Sequence, residues 1–257
     1  MKLLRYLGRP IVAVARDTGG MALLFIFALR ALWPPQIERD ETLRVMCKFG
    51  YMSLPIVAAT SVFVGGIMVL QAATYVTEFG AQSLVGWATG WATLREVGPV
   101  LIGLMFSGRV GANNTAELAT MNITEQLDAL RVLAIDPLIY LFVPRLIAMI
   151  AMLVCLTAIG DIIALGGGAV VAKLILDLDV RLFFKSLFEL IHLQDLWLSL
   201  AKAFLFGATI ATVSSYFGMR ATGGTRGVGR AVNASVVANA VVLFVADYFM
   251  TALGVHV

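Results

Sequence analysis

Five ionisable residues stand in otherwise apolar surroundings: Arg95, Glu96, Asp161, Lys202 and Asp247. A charge in hydrocarbon is costly unless it is paired or reaches water, so such residues default to functional hypotheses. Arg95 and Glu96 are adjacent, and Lys202 supplies a second cation. Two cations against one anion leave a positive surplus, which suits a phosphate group. The competing reading is a structural ion pair whose spare cation snorkels outward, and depth alone does not choose between them. Asp161 and Asp247 form a second set. A proton relay is one reading; hydrogen bonds between packed helices are the simpler one.

The elements that position these groups follow from composition. Of 257 residues 60% are hydrophobic and 14% charged, with mean hydropathy +0.91. Soluble domains carry about 25% charged residues. The polar residues collect between long apolar runs, so the bilayer acts as solvent and an all-α membrane protein is expected. The net charge of +3 fits basic cytoplasmic loops rather than nucleic-acid binding. Cys47 and Cys155 lie far apart in apolar surroundings, which supports neither a disulfide nor a metal site. No HExxH pattern is present, and His192 and His256 fall outside the spans. The glycine-rich stretch 222–230 lacks the P-loop pattern and reads as a tight turn. No catalytic residue, metal or cofactor is expected. Met1–Pro10 has basic residues but no apolar core before a cleavage site, so no cleavable leader is expected.

Residues 1–33 mix Lys2, Arg5, Arg9 and Arg16 with apolar residues, then run to Arg30 and Trp33-Pro34-Pro35. This reads as an interfacial or elbow helix. Five spans are expected at about 50–76, 88–109, 146–172, 196–219 and 231–253. The first lies in a charge-free stretch of 29 residues between Lys48 and Glu78. The second is diagnostic. Only 12 uncharged residues separate Glu96 from Arg109, so a span of about 20 residues must carry Arg95 and Glu96 within it. Span three contains Asp161, span four Lys202 and span five Asp247. In span four Gly207, Ala211 and Ser215 are spaced for a close helix contact.

Lys and Arg set the orientation. Thirteen fall at the N-terminus, before span one, after span two and after span four, against three after span three. The rich side is cytoplasmic, which puts the N-terminus inside and the C-terminus outside. Arg95 and Lys202 then lie roughly 10 Å and 9 Å below the outer surface, a shared depth for one outward-facing pocket. Between spans two and three, Asn122-Ile-Thr-Glu125 reads as a capped helix start. Glu125, Asp128 and Arg131 share a face opposite Ile123, Leu127 and Leu130, so a short amphipathic helix is expected at about 113–135, outside the bilayer.

Residues 94–147 read Leu-Arg-Glu-Val-Gly-Pro-Val-Leu, Ser-Gly-Arg-Val-Gly-Ala, Ala-Glu-Leu-Ala-Thr-Met-Asn-Ile-Thr-Glu-Gln-Leu-Asp-Ala-Leu, Ile-Asp-Pro and Val-Pro-Arg-Leu-Ile-Ala in order. This block, with Ser53-Leu-Pro-Ile-Val, Gln71 and Gly223-Gly-Thr-Arg-Gly-Val-Gly-Arg-Ala231, closely resembles the MlaE (YrbE-type) permease family of lipid-transporting ABC systems. The resemblance covers essentially the whole chain. It implies one permease domain over 1–257, a homodimer in the bacterial inner membrane. It also implies a separate cytoplasmic ABC ATPase, a periplasmic ring of MCE-domain subunits and often a STAS-domain protein. The complex moves phospholipid between the inner and outer membranes and so maintains outer-membrane lipid asymmetry. By resemblance, Arg95, Glu96 and Lys202 contact substrate, while Glu117, Glu125, Asp128 and Arg131 belong to the helix that couples to the ATPase. Asn113-Asn114, Arg226 and Asn233-Ala234 depart from the family's usual residues. Two other classes remain for comparison. One is a proton-driven secondary transporter using Asp161 and Asp247, disfavoured by five spans without a visible repeat. The other is a non-transporting membrane scaffold.

Overall fold

The computed structural model describes residues 2–31, 39–78, 80 and 84–255. Among these, every regular element is helical. Helix α1 covers Lys2–Ala31 and α2 Arg39–Glu78. Next comes a rod of α3 (Val85–Ala92), a π turn (Thr93–Val97), α4 (Gly98–Phe106), a second π turn (Ser107–Gly111) and α5 (Ala112–Ile123). Then follow α6 (Gln126–Val132), a π turn (Leu138–Phe142) leading into α7 (Val143–Leu176), α8 (Val180–Leu190), α9 (Leu193–Met219) and α10 (Gly224–Val255). The Trp33-Pro34-Pro35 stop and His256 lie outside the described residues.

Four helical stretches are long and apolar enough to cross a membrane: Asp40–Thr74, Leu138–Leu176, Leu193–Met219 and Gly224–Gly254. The expected second span is the segmented rod. Its 39 residues from Val85 to Ile123 never leave helical geometry, a length of about 58 Å at 1.5 Å per residue. That exceeds a hydrocarbon core of about 30 Å. The rod therefore carries the chain from the level of Arg95 directly into the connector, and the expected helix at 113–135 is divided. Residues 112–123 are the end of the rod, and α6 is a separate short helix. Asn122 is not its cap. It sits in the last turn of α5 and donates Nδ2 to the Ala221 carbonyl at 3.0 Å. Glu125, at φ 59°, reverses the chain and precedes Gln126.

Helix α9 is the centre of the molecule. It packs against α7, α10, α5 and α1, and its face Ala203, Phe206, Ala208, Ile210 and Ala211 is buried with Met149, Leu153 and Phe142. Gly207 lies against the α7 backbone, where an added Cβ would come 2.7 Å from Ile150 Cα. The α2–α7 contact is closer still. A Cβ on Gly65 would overlap the Ala164 carbonyl oxygen, the close approach that small residues permit between membrane helices. The expected glycine turn at 222–230 is shorter than its sequence suggests. Helix α10 already begins at Gly224, and only Arg220–Gly223 make the reversal.

Candidate functional site

Lys202 is fully buried, and four oxygens surround its ammonium. Nζ donates to the Arg95 carbonyl at 2.6 Å, Glu96 Oε2 at 3.0 Å and Thr251 Oγ1 at 2.7 Å. Asp247 Oδ1 stands 2.8 Å away. Thr251 in turn donates to Glu96 Oε1 at 2.9 Å. Asp247 and Thr251, one turn apart on α10, face Lys202 together.

Local sequence explains the carbonyl. In an α-helix the oxygen of residue 95 accepts from the N–H of residue 99. That residue is Pro99, which has no N–H. The turn widens to π geometry, with Gly98 N–H bonding to the Thr93 carbonyl, and the orphaned Arg95 oxygen takes the lysine instead. A buried ammonium needs such saturation, because an uncompensated charge costs several kcal/mol.

Arg95 points elsewhere. It donates Nη2 to the Gly254 carbonyl at 2.8 Å, stands 3.7 Å from Asp195 Oδ1 and lies 5.6 Å from the Trp91 ring centroid. Asp195 is fixed by its own capping bond from the His192 N–H at 3.2 Å. These groups wall one side of a cavity of about 680 Å³. Its apolar wall is Trp87, Trp91, Trp197, Leu190, Leu198, Met250 and Leu253; its polar edge is Arg95, His192, Gln194 and Asp195. Trp87 and Trp91 lie tilted against each other, 6.5 Å between centroids. A largely apolar pocket with a few convergent polar groups is the common form of a small-molecule site.

The structure thus brings Arg95, Glu96 and Lys202 together but changes their arithmetic. The positive surplus does not exist, since two cations meet Glu96, Asp195 and Asp247. Lys202 is locked within the protein, and Arg95 is the cation on the cavity wall. Asp247 is not part of a deeper pair with Asp161 but a partner of Lys202. Asp161 is buried and accepts from Ser199 Oγ at 2.8 Å, one turn from Lys202 on α9. Its Oδ1 has no hydrogen-bond partner among the described residues. Sequence reasoning missed Asp195, Thr251, Ser199, Pro99 and the tryptophans. The spacing of four shared by Trp87, Trp91 and Arg95, and by Arg95 and Pro99, was the available signal.

A second polar cluster lies at the other end of the rod. Glu117 pairs with Lys48 of α2, accepts from Asn113 Nδ2 at 2.9 Å and stands 3.4 Å from Arg145 Nη2 of α7. Arg145 also donates to Asn114 Oδ1 at 2.6 Å. Asn114, fully buried, donates to Ser214 and Ser215 of α9 at 2.7 and 3.1 Å. Through Glu117 and the paired asparagines this cluster ties three helices to the rod. Of the four residues expected to couple to an ATPase, Glu117 is held here. Glu125, Asp128 and Arg131 are exposed on or beside α6, with Asp128 and Arg131 paired at 2.7 Å. Beyond them Val132 and Leu133 are 87% and 69% exposed, an apolar tip on a polar helix.

The family profile described as Permease MlaE matches residues 42–253. The chain belongs to the MlaE permease family. The matched segment of this MlaE-family permease holds both polar clusters and leaves out α1. It is 37% identical over 246 residues to a probable ABC transporter permease protein of Rickettsia felis, covering 96% of this chain and 95% of that one. It is 35% identical to a probable ABC transporter permease protein of Synechocystis, covering 84% and 82% of the two chains. It is 31% identical to the Arabidopsis thaliana protein TRIGALACTOSYLDIACYLGLYCEROL 1, chloroplastic, covering 96% of this chain and 67% of that one.

Proposed function

We propose that this MlaE-family permease is the membrane subunit of an ATP-driven ABC transporter for phospholipid. The cavity beside Arg95 is where the lipid enters or leaves. The observation that carries this reading is the division of labour among the charges. Lys202 is neutralised and saturated, while Arg95, stacked over Trp91, is held by a long ion pair and one carbonyl bond. A phosphate arriving at the cavity can displace Asp195 from Arg95, and the tryptophan wall receives the glycerol and upper chain. Relatives named as probable ABC transporter permeases support the transporter class.

In this reading the permease works as a homodimer in the bacterial inner membrane, N-terminus cytoplasmic and C-terminus periplasmic. A separate ATPase hydrolyses ATP. It docks on α6 through Glu125, Asp128, Arg131 and the exposed Val132–Leu133 tip. Glu117 transmits the movement by tying the rod to α2 and α7. An MCE-domain ring receives or supplies lipid on the periplasmic side, a STAS-domain protein completes the cytoplasmic assembly, and the traffic maintains outer-membrane asymmetry.

A photoreactive phospholipid offered to the assembled transporter tests the site. Cross-links should map to Trp91 and Trp197. Arg95→Gln should lower them by about tenfold, the worth of one charge-assisted hydrogen bond. Equal cross-linking in wild type and R95Q would remove the headgroup role.

A further inference from the structure

Two cavities away from the Arg95 site follow one seam where α1, α9 and α10 meet. The first, about 300 Å³, is polar and lined by Arg16, Asp17, Tyr216, Arg220, Thr222 and Arg230 among others. The second, about 280 Å³, is lined by Met21, Phe25, Leu205, Ala208, Val213 and Val242 among others. The three helices agree on how the two are stacked. On α1 the polar basin ends at Asp17 and the groove begins at Thr18. On α9 Tyr216 stands one turn from Val213, and the groove continues to Leu205, about 16 Å from Tyr216 at the helical rise. On α10 Arg230 and Val242 are separated by about 18 Å. A charged basin therefore leads toward an apolar slot about 12 Å long on α9, room for the upper part of an acyl chain, running into the membrane-spanning part of α9.

The basin is basic and partly wired. Asp17 accepts from the Tyr216 hydroxyl at 3.1 Å and lies 3.9 Å from Arg16 Nε. Arg220 donates to the same hydroxyl and lies 5.0 Å from the Tyr216 ring centroid. Arg230 donates to the Thr222 carbonyl at 3.3 Å. Among the described residues of the basin three arginines face one carboxylate, and that carboxylate is already engaged. Arg220 and Arg230 remain exposed with donors to spare, and a guanidinium binds phosphate in a forked geometry. Basic pockets between membrane helices suit anionic headgroups.

We infer that this seam binds one anionic phospholipid, its phosphate on Arg220 and Arg230 and one acyl chain in the α1–α9–α10 groove. The lipid is bound as a fixture of the fold, separate from the Arg95 cavity, and cements α1 against α9. A free phosphate would use the basin and leave the groove empty; the alignment of the two cavities selects the lipid.

The test uses the full chain reconstituted in nanodiscs of phosphatidylcholine, with photoreactive phosphatidylglycerol or phosphatidylcholine as probe. Phosphatidylglycerol should cross-link within 18–25 of α1 and 205–213 of α9 in preference to phosphatidylcholine. R220Q/R230Q should cut that preference about tenfold or more. Ala22→Trp, at an exposed position beside the groove, should lower cross-linking there while the charge preference persists. R95Q should leave these cross-links unchanged, which separates this site from the proposed transport cavity. Equal labelling by the two lipids, or an unchanged preference in a folded R220Q/R230Q protein, overturns the proposal. Competition by inorganic phosphate as effective as that by unlabelled phosphatidylglycerol makes the basin a free-anion site and overturns it too.

Discussion

The two ends of the Val85–Ile123 rod carry polar clusters built on opposite principles. At the Arg95 end a single fully buried ammonium is wrapped by oxygens from the rod and α10, and a cavity opens beside it. At the Glu117 end the polar groups are graded from the buried neutral Asn114 through Arg145 to half-exposed Lys48, and the cluster works as a strap across α2, α5, α7 and α9. In the first, the ions hold a pocket's wall rigid. In the second, they join helices that must move together if the rod transmits motion. The difference shows how identical residue types serve separate ends: full burial makes Lys202 a fixture, while partial exposure leaves Glu117 and Lys48 able to rearrange.

The largest expected effect comes from Lys202→Met. Glu96 and Asp247 would lose their common counter-ion, and breaking a buried pair costs about 3–5 kcal/mol. Thermal unfolding in detergent should fall sharply, and adding Glu96→Gln with Asp247→Asn should restore part of the loss. No recovery in the triple variant would mean that the charges are not what Lys202 balances. Arg145→Met should cost about 1.5–3 kcal/mol by the same assay, because it removes a hydrogen bond from a charged group to Asn114 and the ion pair with Glu117. If it matched Lys202→Met, the contrast between a wrapped and a graded cluster would fail.

Pro99→Ala sharpens the comparison from the backbone side. An alanine at that position would supply the N–H that proline lacks, and this donor would compete with Lys202 for the Arg95 carbonyl. A shift of about 1 kcal/mol or less in stability, with a changed cross-linking pattern at Trp91, is expected. An unchanged pattern would mean that the π turn does not set the wall. The smallest stability effect belongs to Asp128→Lys. Its exposed ion pair with Arg131 is worth about 0–1 kcal/mol, so the fold should survive while ATPase-stimulated transport is lost. Normal transport in that variant would remove α6 from coupling.

Much of this is legible from residue order alone. The all-helical membrane character follows from apolar runs too long for soluble helices. The expectation that a second span would carry Arg95 and Glu96 follows from arithmetic, since 12 uncharged residues cannot cross a bilayer. The pairing of Asp128 with Arg131 on one face of α6 is a helical period, whereas Glu125, expected on that face, precedes the helix at φ 59°. Residue order misplaces the start of that helix because Asn122 carries a cap's chemistry, yet its amide is used across the fold by Ala221. The glycine-rich stretch misleads for a related reason: glycine permits a turn without requiring one, and α10 runs as helix through Gly227 and Gly229.

What the amino-acid order determined by itself is one-dimensional: which segments prefer lipid, which charges lie inside them, and which carbonyl Pro99 leaves without a donor. Only the tertiary structure decided which charge pairs with which. Asp247 and Thr251 lie 45 residues or more beyond Lys202 in the chain, and only the packing of α10 on α9 brings their oxygens to its ammonium. The same packing turned a calculated positive surplus into a neutralised core with Arg95 at the cavity wall. Electrostatic energy depends on distance through space and on exclusion of water, and neither is written in sequence separation.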